Sequence, residues 1–142
     1  MPDESQAPLI TPDDFHRVVH DRRWFGEWLG LEVKALRRGG ATIELAVRDE
    51  LLREGGTVAG PIVMAVADIA LYAAVIATYE EGRKAVTADM TMHFLRRPAG
   101  ARLKAEATII KAGRRLTTGR VEVFMDDDER PVAHIVSSYA LP

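Results

Sequence analysis

Residues 55–84, GGTVAGPIVMAVADIALYAAVIATYEEGRK, decide the fold. Pro61 suits the first turn of a helix and Gly82 its end, so the spacing predicts a helix from Pro61 to about Glu81. From Ile62 to Tyr79 the only charged residue is Asp68. A helix apolar on every side is either a membrane span or is wrapped by protein. A mid-span aspartate costs about 2.5–3.5 kcal/mol on insertion scales, and the flanking sequence is patterned as strands. The helix is therefore read as buried, and no membrane partner is expected.

Downstream, AVTADMTMHFL alternates, which is expected to set Val86, Ala88, Met90, Met92 and Phe94 on one face before RRPAG breaks the strand. Two further strands are read in ARLKAEATIIKAG and RRLTTGRVEVFM, then an acidic turn DDDE, then a last strand in RPVAHIVSSYALP. Upstream, LEVKALRRGGATIELAVRDEL reads as a hairpin about Gly39-Gly40, with Ile43, Leu45 and Val47 sharing a face. Before it, Thr11 can cap a first helix with Pro12 at its first position and two aspartates in its first turn. A short second helix or loop follows around Trp24 to Leu29. This order predicts an α+β protein in which an antiparallel sheet wraps around one long central helix. With 142 residues and 15.7 kDa it is read as a single domain over residues 1–142, with a helical segment in 1–30.

Composition removes many chemistries. The net charge is −2, with 47% hydrophobic and 28% charged residues, as in a soluble globular chain. There is no cysteine, hence no disulfide, thiol nucleophile or thiolate zinc site. The start, MPDESQAPLITPDD, is acidic and polar where a secretory signal is basic and then apolar, so a cytoplasmic location is expected. None of Ser5, Ser137 and Ser138 stands in a Gly-x-Ser-x-Gly elbow. Gly55 and Gly60 have Walker spacing, but Pro61 and Ile62 replace its Lys and Ser/Thr. His16 and His20 are read as a solvated pair and His93 and His134 as strand residues, so neither metal nor other cofactor is expected.

Asp68 is the residue that needs explaining. A buried, ionised carboxylate without a partner is costly. Either an arginine or a neighbouring backbone group compensates it, or a polar cavity reaches it, in which case it can serve as general base or nucleophile.

The runs GGTVAGPIVMAVADIALYAAV, AVTADMTMHFLRRPAG and KAGRRLTTGRVEVF resemble the hotdog-fold acyl-CoA thioesterases of the PaaI (phenylacetate degradation) and 4-hydroxybenzoyl-CoA thioesterase type, over roughly Leu31 to Leu141. The resemblance implies that the backbone N–H of Gly60 polarises the thioester carbonyl, that Asp68 activates water or attacks the carbonyl carbon, and that Thr87 helps place the water. It makes Arg53, Ala59, Pro61, Arg114 and Arg115 the substrate-binding candidates, Arg114 and Arg115 toward coenzyme A. Two positions depart from the family pattern: Ala59-Gly60-Pro61 stands for His-Gly-Gly, and Arg53 stands where an Asn is usual.

One consequence needs no family. Gly60 and Asp68 are eight residues apart on one helix, about 12 Å, so one carbonyl carbon cannot touch both. If both act on one substrate they come from different subunits, with two central helices antiparallel across a two-fold axis. A homodimer, or a dimer of dimers, is expected. Between Met92 and Arg120, eight lysines and arginines stand against Glu106 alone, which suits the phosphates of coenzyme A carried as part of the substrate. A nucleic-acid partner is not expected, for want of strand aromatics at a stacking spacing. The function expected is hydrolysis of acyl-CoA thioesters. The alternatives are a non-catalytic module binding acyl-CoA or an aromatic ligand, and a structural dimerisation domain. Trp24, Phe25 and Trp28 are read either as part of an acyl pocket or as core and lid.

Overall fold

The computed structural model describes residues 1–19 and 26–142. Helix α1 spans Pro12–Val19. Thr11 and Asp14 close its start reciprocally: Asp14 N–H donates to Thr11 Oγ1 at 3.1 Å while the Asp14 carboxylate accepts from Thr11 N–H at 3.2 Å. The short α2, Gly26–Leu29, leads to strands β1 (Glu32–Arg37) and β2 (Gly40–Ala46), the expected hairpin. His16 does not face solvent as half of an exposed pair, since its Nε2 accepts from Val33 N–H at 2.9 Å and ties α1 to β1. His20, Trp24 and Phe25 lie outside the described residues.

The central helix α3 runs Gly60–Thr78 and stops three residues before the predicted end. Thr78 turns its hydroxyl back to the Ala74 carbonyl at 2.6 Å, and Tyr79 is extended, its hydroxyl donating to the Gly113 carbonyl at 3.0 Å. Gly82 is needed one turn later for space rather than for capping. A Cβ there would meet Ile76 Cα and the Val75 carbonyl at 2.8 Å.

Strands β3 (Val86–Phe94), β4 (Arg102–Ala112), β5 (Leu116–Met125) and β6 (Ala133–Ala140) complete an antiparallel sheet of order β1-β2-β4-β5-β6-β3. Its concave face takes Ile43, Leu45, Leu103, Ile109, Val121 and Ile135 onto α3, where eleven residues are buried. Although α3 is long and apolar enough to cross a membrane, most of it is buried within the protein. This is the hotdog architecture that the sequence predicted.

In β3 the structure corrects the predicted face. Thr87 pairs with Tyr139 but Asp89 pairs with Ser138, so Ala88 is an extra residue, a β-bulge. Paired residues share a face, and Tyr139 is inward. Thr87 therefore joins Met90, Met92 and Phe94 on the inner face, and Val86, expected there, leaves it. Val86 is 63% exposed.

Candidate active site

Asp68 sits midway along α3, on a stripe with Pro61, Met64, Ala65 and Tyr72 that is the helix's least buried side. Among the described residues, no arginine or lysine forms an ion pair with it. Thr87 Oγ1 donates to Asp68 Oδ1 at 3.0 Å, and the Tyr139 hydroxyl donates to the same oxygen at 2.5 Å while lying 3.0 Å from the Asp68 carbonyl oxygen. Two hydroxyls thus solvate the carboxylate that an apolar helix would otherwise strand. The bulge at Ala88 is what turns Thr87 toward it.

The carboxylate is not sealed in. Asp68, Thr87, Tyr139, Tyr72, Val18 and Ala85 line a cavity of about 270 Å³. Tyr72 stacks on Tyr139 with centroids 5.9 Å apart and an interplanar angle of 12°, and its hydroxyl donates to the Arg83 carbonyl at 2.9 Å. Val18 and Tyr72 also line a neighbouring recess of about 390 Å³ with Asp14, Arg17 and Arg83, so cationic side chains stand beside the mouth. Burial, the negative charge of Asp68 and the hydrogen bond to it all hold the Tyr139 phenol well above its ordinary pKa, so it remains a donor.

At the N-terminal end of α3, the chain is pinned before the helix begins: Val58 N–H donates to the Pro98 carbonyl and Ala59 N–H to the Leu51 carbonyl, both at 2.9 Å. Pro61 has no N–H, and the Gly60 N–H meets no acceptor among the described residues. A free donor at the positive end of a helix dipole is what an oxyanion requires. Arg53 is exposed in the turn over 53–57, where its N–H and carbonyl bond Thr57 and Gly56.

Of the residues singled out in the sequence, the chain thus brings Asp68 and Thr87 together, while Gly60, Ala59, Pro61 and Arg53 cluster at the helix start. Arg114 lines a recess with Thr78 and Tyr79, ten residues and about 15 Å along the helix from Asp68. Arg115 is exposed, its carbonyl accepting from Leu141 N–H at 2.8 Å. Trp28 is not core; it is 52% exposed with the Arg48 guanidinium over its ring at 5.0 Å. Tyr139, Tyr72 and Val18 were missed. The signal for Tyr139 was available: alternation through Ala133, Ile135, Ser137 and Tyr139 faces it inward, and a buried phenol needs a partner.

Fold and site together define a hotdog protein with a cavity-lining carboxylate. Residues 55–132 match the thioesterase superfamily, and the chain belongs to that family. It is similar to a candidate thioesterase from a Silicibacter species, at 33% identity and a TM-score of 0.81, covering 95% of this chain and 94% of that one. The phenylacetic acid degradation protein PaaI from Thermus thermophilus, in a mutant form, is 31% identical with a TM-score of 0.73, covering 83% and 98%. A candidate esterase of Saccharolobus solfataricus is 23% identical over 87% of this chain and 81% of its own. By family the protein is a thioester hydrolase.

Proposed function

We propose that the protein hydrolyses acyl-CoA thioesters, with Asp68 as general base or nucleophile and the Gly60 N–H as oxyanion donor. The observation that carries this is the Asp68 carboxylate, held by two hydroxyl donors at the wall of an open cavity inside an otherwise apolar helix. As base, Asp68 takes a proton from water, and the hydroxide adds to the thioester carbon. The carbonyl oxygen becomes an oxyanion, which the Gly60 N–H stabilises. When the intermediate collapses, the C–S bond breaks and the thiolate leaves with the proton Asp68 held. As nucleophile, Asp68 attacks the carbonyl carbon, the C–S bond breaks and the thiolate leaves, and water then cleaves the resulting anhydride, regenerating the Asp68 carboxylate, releasing the acid and supplying the proton that the thiolate takes up.

The same reading requires a second copy. Asp68 and Gly60 lie two turns apart, with Met64 four residues from each. Two copies of α3, antiparallel about a two-fold axis at Met64, set Gly60 of one chain against Asp68 of the partner subunit. Surface chemistry supports this: Met64 is 45% exposed, and β3 ends the sheet of described strands as an edge carrying Phe94, 54% exposed, beside the exposed Leu95. Arg53, Ala59 and Pro61 then border the substrate, and Arg114 and Arg115 the coenzyme A phosphates. A cytoplasmic location goes with this reading, on the acidic, polar start of the chain.

A free-thiol assay over a panel of acyl-CoA esters tests it. Asp68→Asn is expected to lower kcat by about 10²–10⁴-fold with the fold and dimer intact; undiminished hydrolysis would rule the assignment out. One observation favours a second reading, a binding module without turnover: Ala59 and Arg53 offer no imidazole or amide near the Gly60 N–H. Thermal stabilisation by an acyl-CoA that is never cleaved would select it.

A further inference from the structure

We infer that Tyr139 is a positioning residue that differentiates the two oxygens of the Asp68 carboxylate, fixing Oδ1 and leaving Oδ2 as the one that handles the proton or attacks carbon. The inference rests on the proposed hydrolase role of Asp68 and adds to it a residue and an atom assignment. Oδ1 receives both donors, Tyr139 at 2.5 Å and Thr87 at 3.0 Å, and Oδ2 receives none from the described residues. A carboxylate on a helix rotates about its side-chain torsions unless something holds it. Two hydrogen bonds to one oxygen, from strands β6 and β3, stop that rotation and aim the other oxygen at the cavity.

Tyr139 is itself held. It is 3% exposed, its ring stacks on Tyr72, and Tyr72 is anchored by the Arg83 carbonyl and set edge-on against Phe15 at 6.2 Å. Tyr139 is paired in the sheet directly with Thr87, so both donors reach the carboxylate from adjacent strands. The polar groups around Asp68 are thus Tyr139 from β6, Thr87 from β3 and Tyr72 from α3, with the Arg17, Arg83 and Asp14 side chains outside, beside the mouth, Arg17 paired with Asp14 at 3.4 Å. With its pKa held above that of an ordinary phenol, the Tyr139 hydroxyl keeps its proton at neutral pH and donates.

Tyr139→Phe keeps the ring and its stacking and deletes only the hydroxyl. The expected result is a fall in kcat of about tenfold with KM changed less than about twofold, and a crystal structure of the variant in which the Asp68 carboxylate has turned about its side-chain torsions. A merely structural role would lower the melting temperature and leave kcat and the carboxylate in place. The carbon-13 NMR resonance of the Asp68 carboxyl, read at one neutral pH in substrate-free protein, reports the same hydrogen bond without turnover and is expected to move on substitution. 3-Fluorotyrosine at position 139, a more acidic donor that keeps the ring, is expected to move that resonance and carries the test alone should the phenylalanine variant not fold. If no thioester is cleaved but the resonance moves on substitution, the hydrolase reading fails and the positioning role stands. An unmoved resonance, or an undiminished kcat in Tyr139→Phe, overturns the inference.

Discussion

One buried and one half-buried tyrosine put a pH dependence on the fold itself. Burial first, then the charge of Asp68 and the hydrogen bond to it, raise the Tyr139 phenol; burial raises Tyr72, with Arg83 opposing. A phenol becomes charged by losing its proton, so the unfolded chain ionises first, at about pH 10. Above that pH the unfolded state binds fewer protons than the native one, and stability falls as pH rises. The contribution is whole below about pH 10 and is lost from there upward. The melting temperature is therefore expected to decline above about pH 10 in the wild type and to decline less steeply in Tyr139→Phe. Parallel melting curves for the two proteins between about pH 9 and pH 11 would show that the phenol is not held as described. Asp128, on the surface, works in the opposite sense. Arg130 holds its carboxyl down to about 2, so whatever that pair contributes is present above the ordinary value of 3.8 and is lost as pH falls from there through about 2.

The elements owe their ends and faces to interactions that no periodicity contains. Helix α3 was legible because nineteen residues with one charge, opened by Pro61, permit little else. Its end was not, because Thr78 also accepts from Gly39 N–H at 2.9 Å, a contact from the β-hairpin. The strands were legible from alternation, and so was the inward phenol, had alternation been followed to Tyr139. The bulge was the hidden step: VTADM reads as plain alternation, and only the pairing with β6 shows that Ala88 is skipped. The site depends on that skip, and this can be tested. Thr87→Val is expected to cut kcat/KM about tenfold, as one donor to a charged oxygen is lost. Adding Ala88→Thr, which plain alternation would aim at the helix, is expected to restore nothing. Recovery in the double variant would mean that residue 88, not residue 87, faces Asp68.

At the scale of the whole molecule, the proposed mechanism divides the site into two halves that one chain cannot bring to one substrate. The Gly60 N–H and the Asp68 carboxylate are fixed about 12 Å apart by the rigid helix between them. Mixing inactive chains decides whether the halves meet across subunits. Gly60→Pro removes the N–H: the residue occupies the first helical turn, where proline is favoured, and Ala59 is already extended at φ −61°, ψ 138°, as a residue before proline must be. Because residue 60 itself precedes Pro61, the melting temperature and the sedimentation of the variant are measured beside its activity. Asp68→Asn removes the carboxylate. Each protein alone is expected to be inactive. Unfolded together and refolded in equal amounts, half of the dimers are mixed, and each mixed dimer carries one site with the intact Gly60 of one chain and the intact Asp68 of the partner subunit. The mixture should then recover about one quarter of the wild-type rate per subunit, and joining both substitutions on one chain should abolish the recovery. A mixture that stays as inactive as its components, while sedimentation shows mixed dimers, would mean that both groups act, if at all, within a single chain.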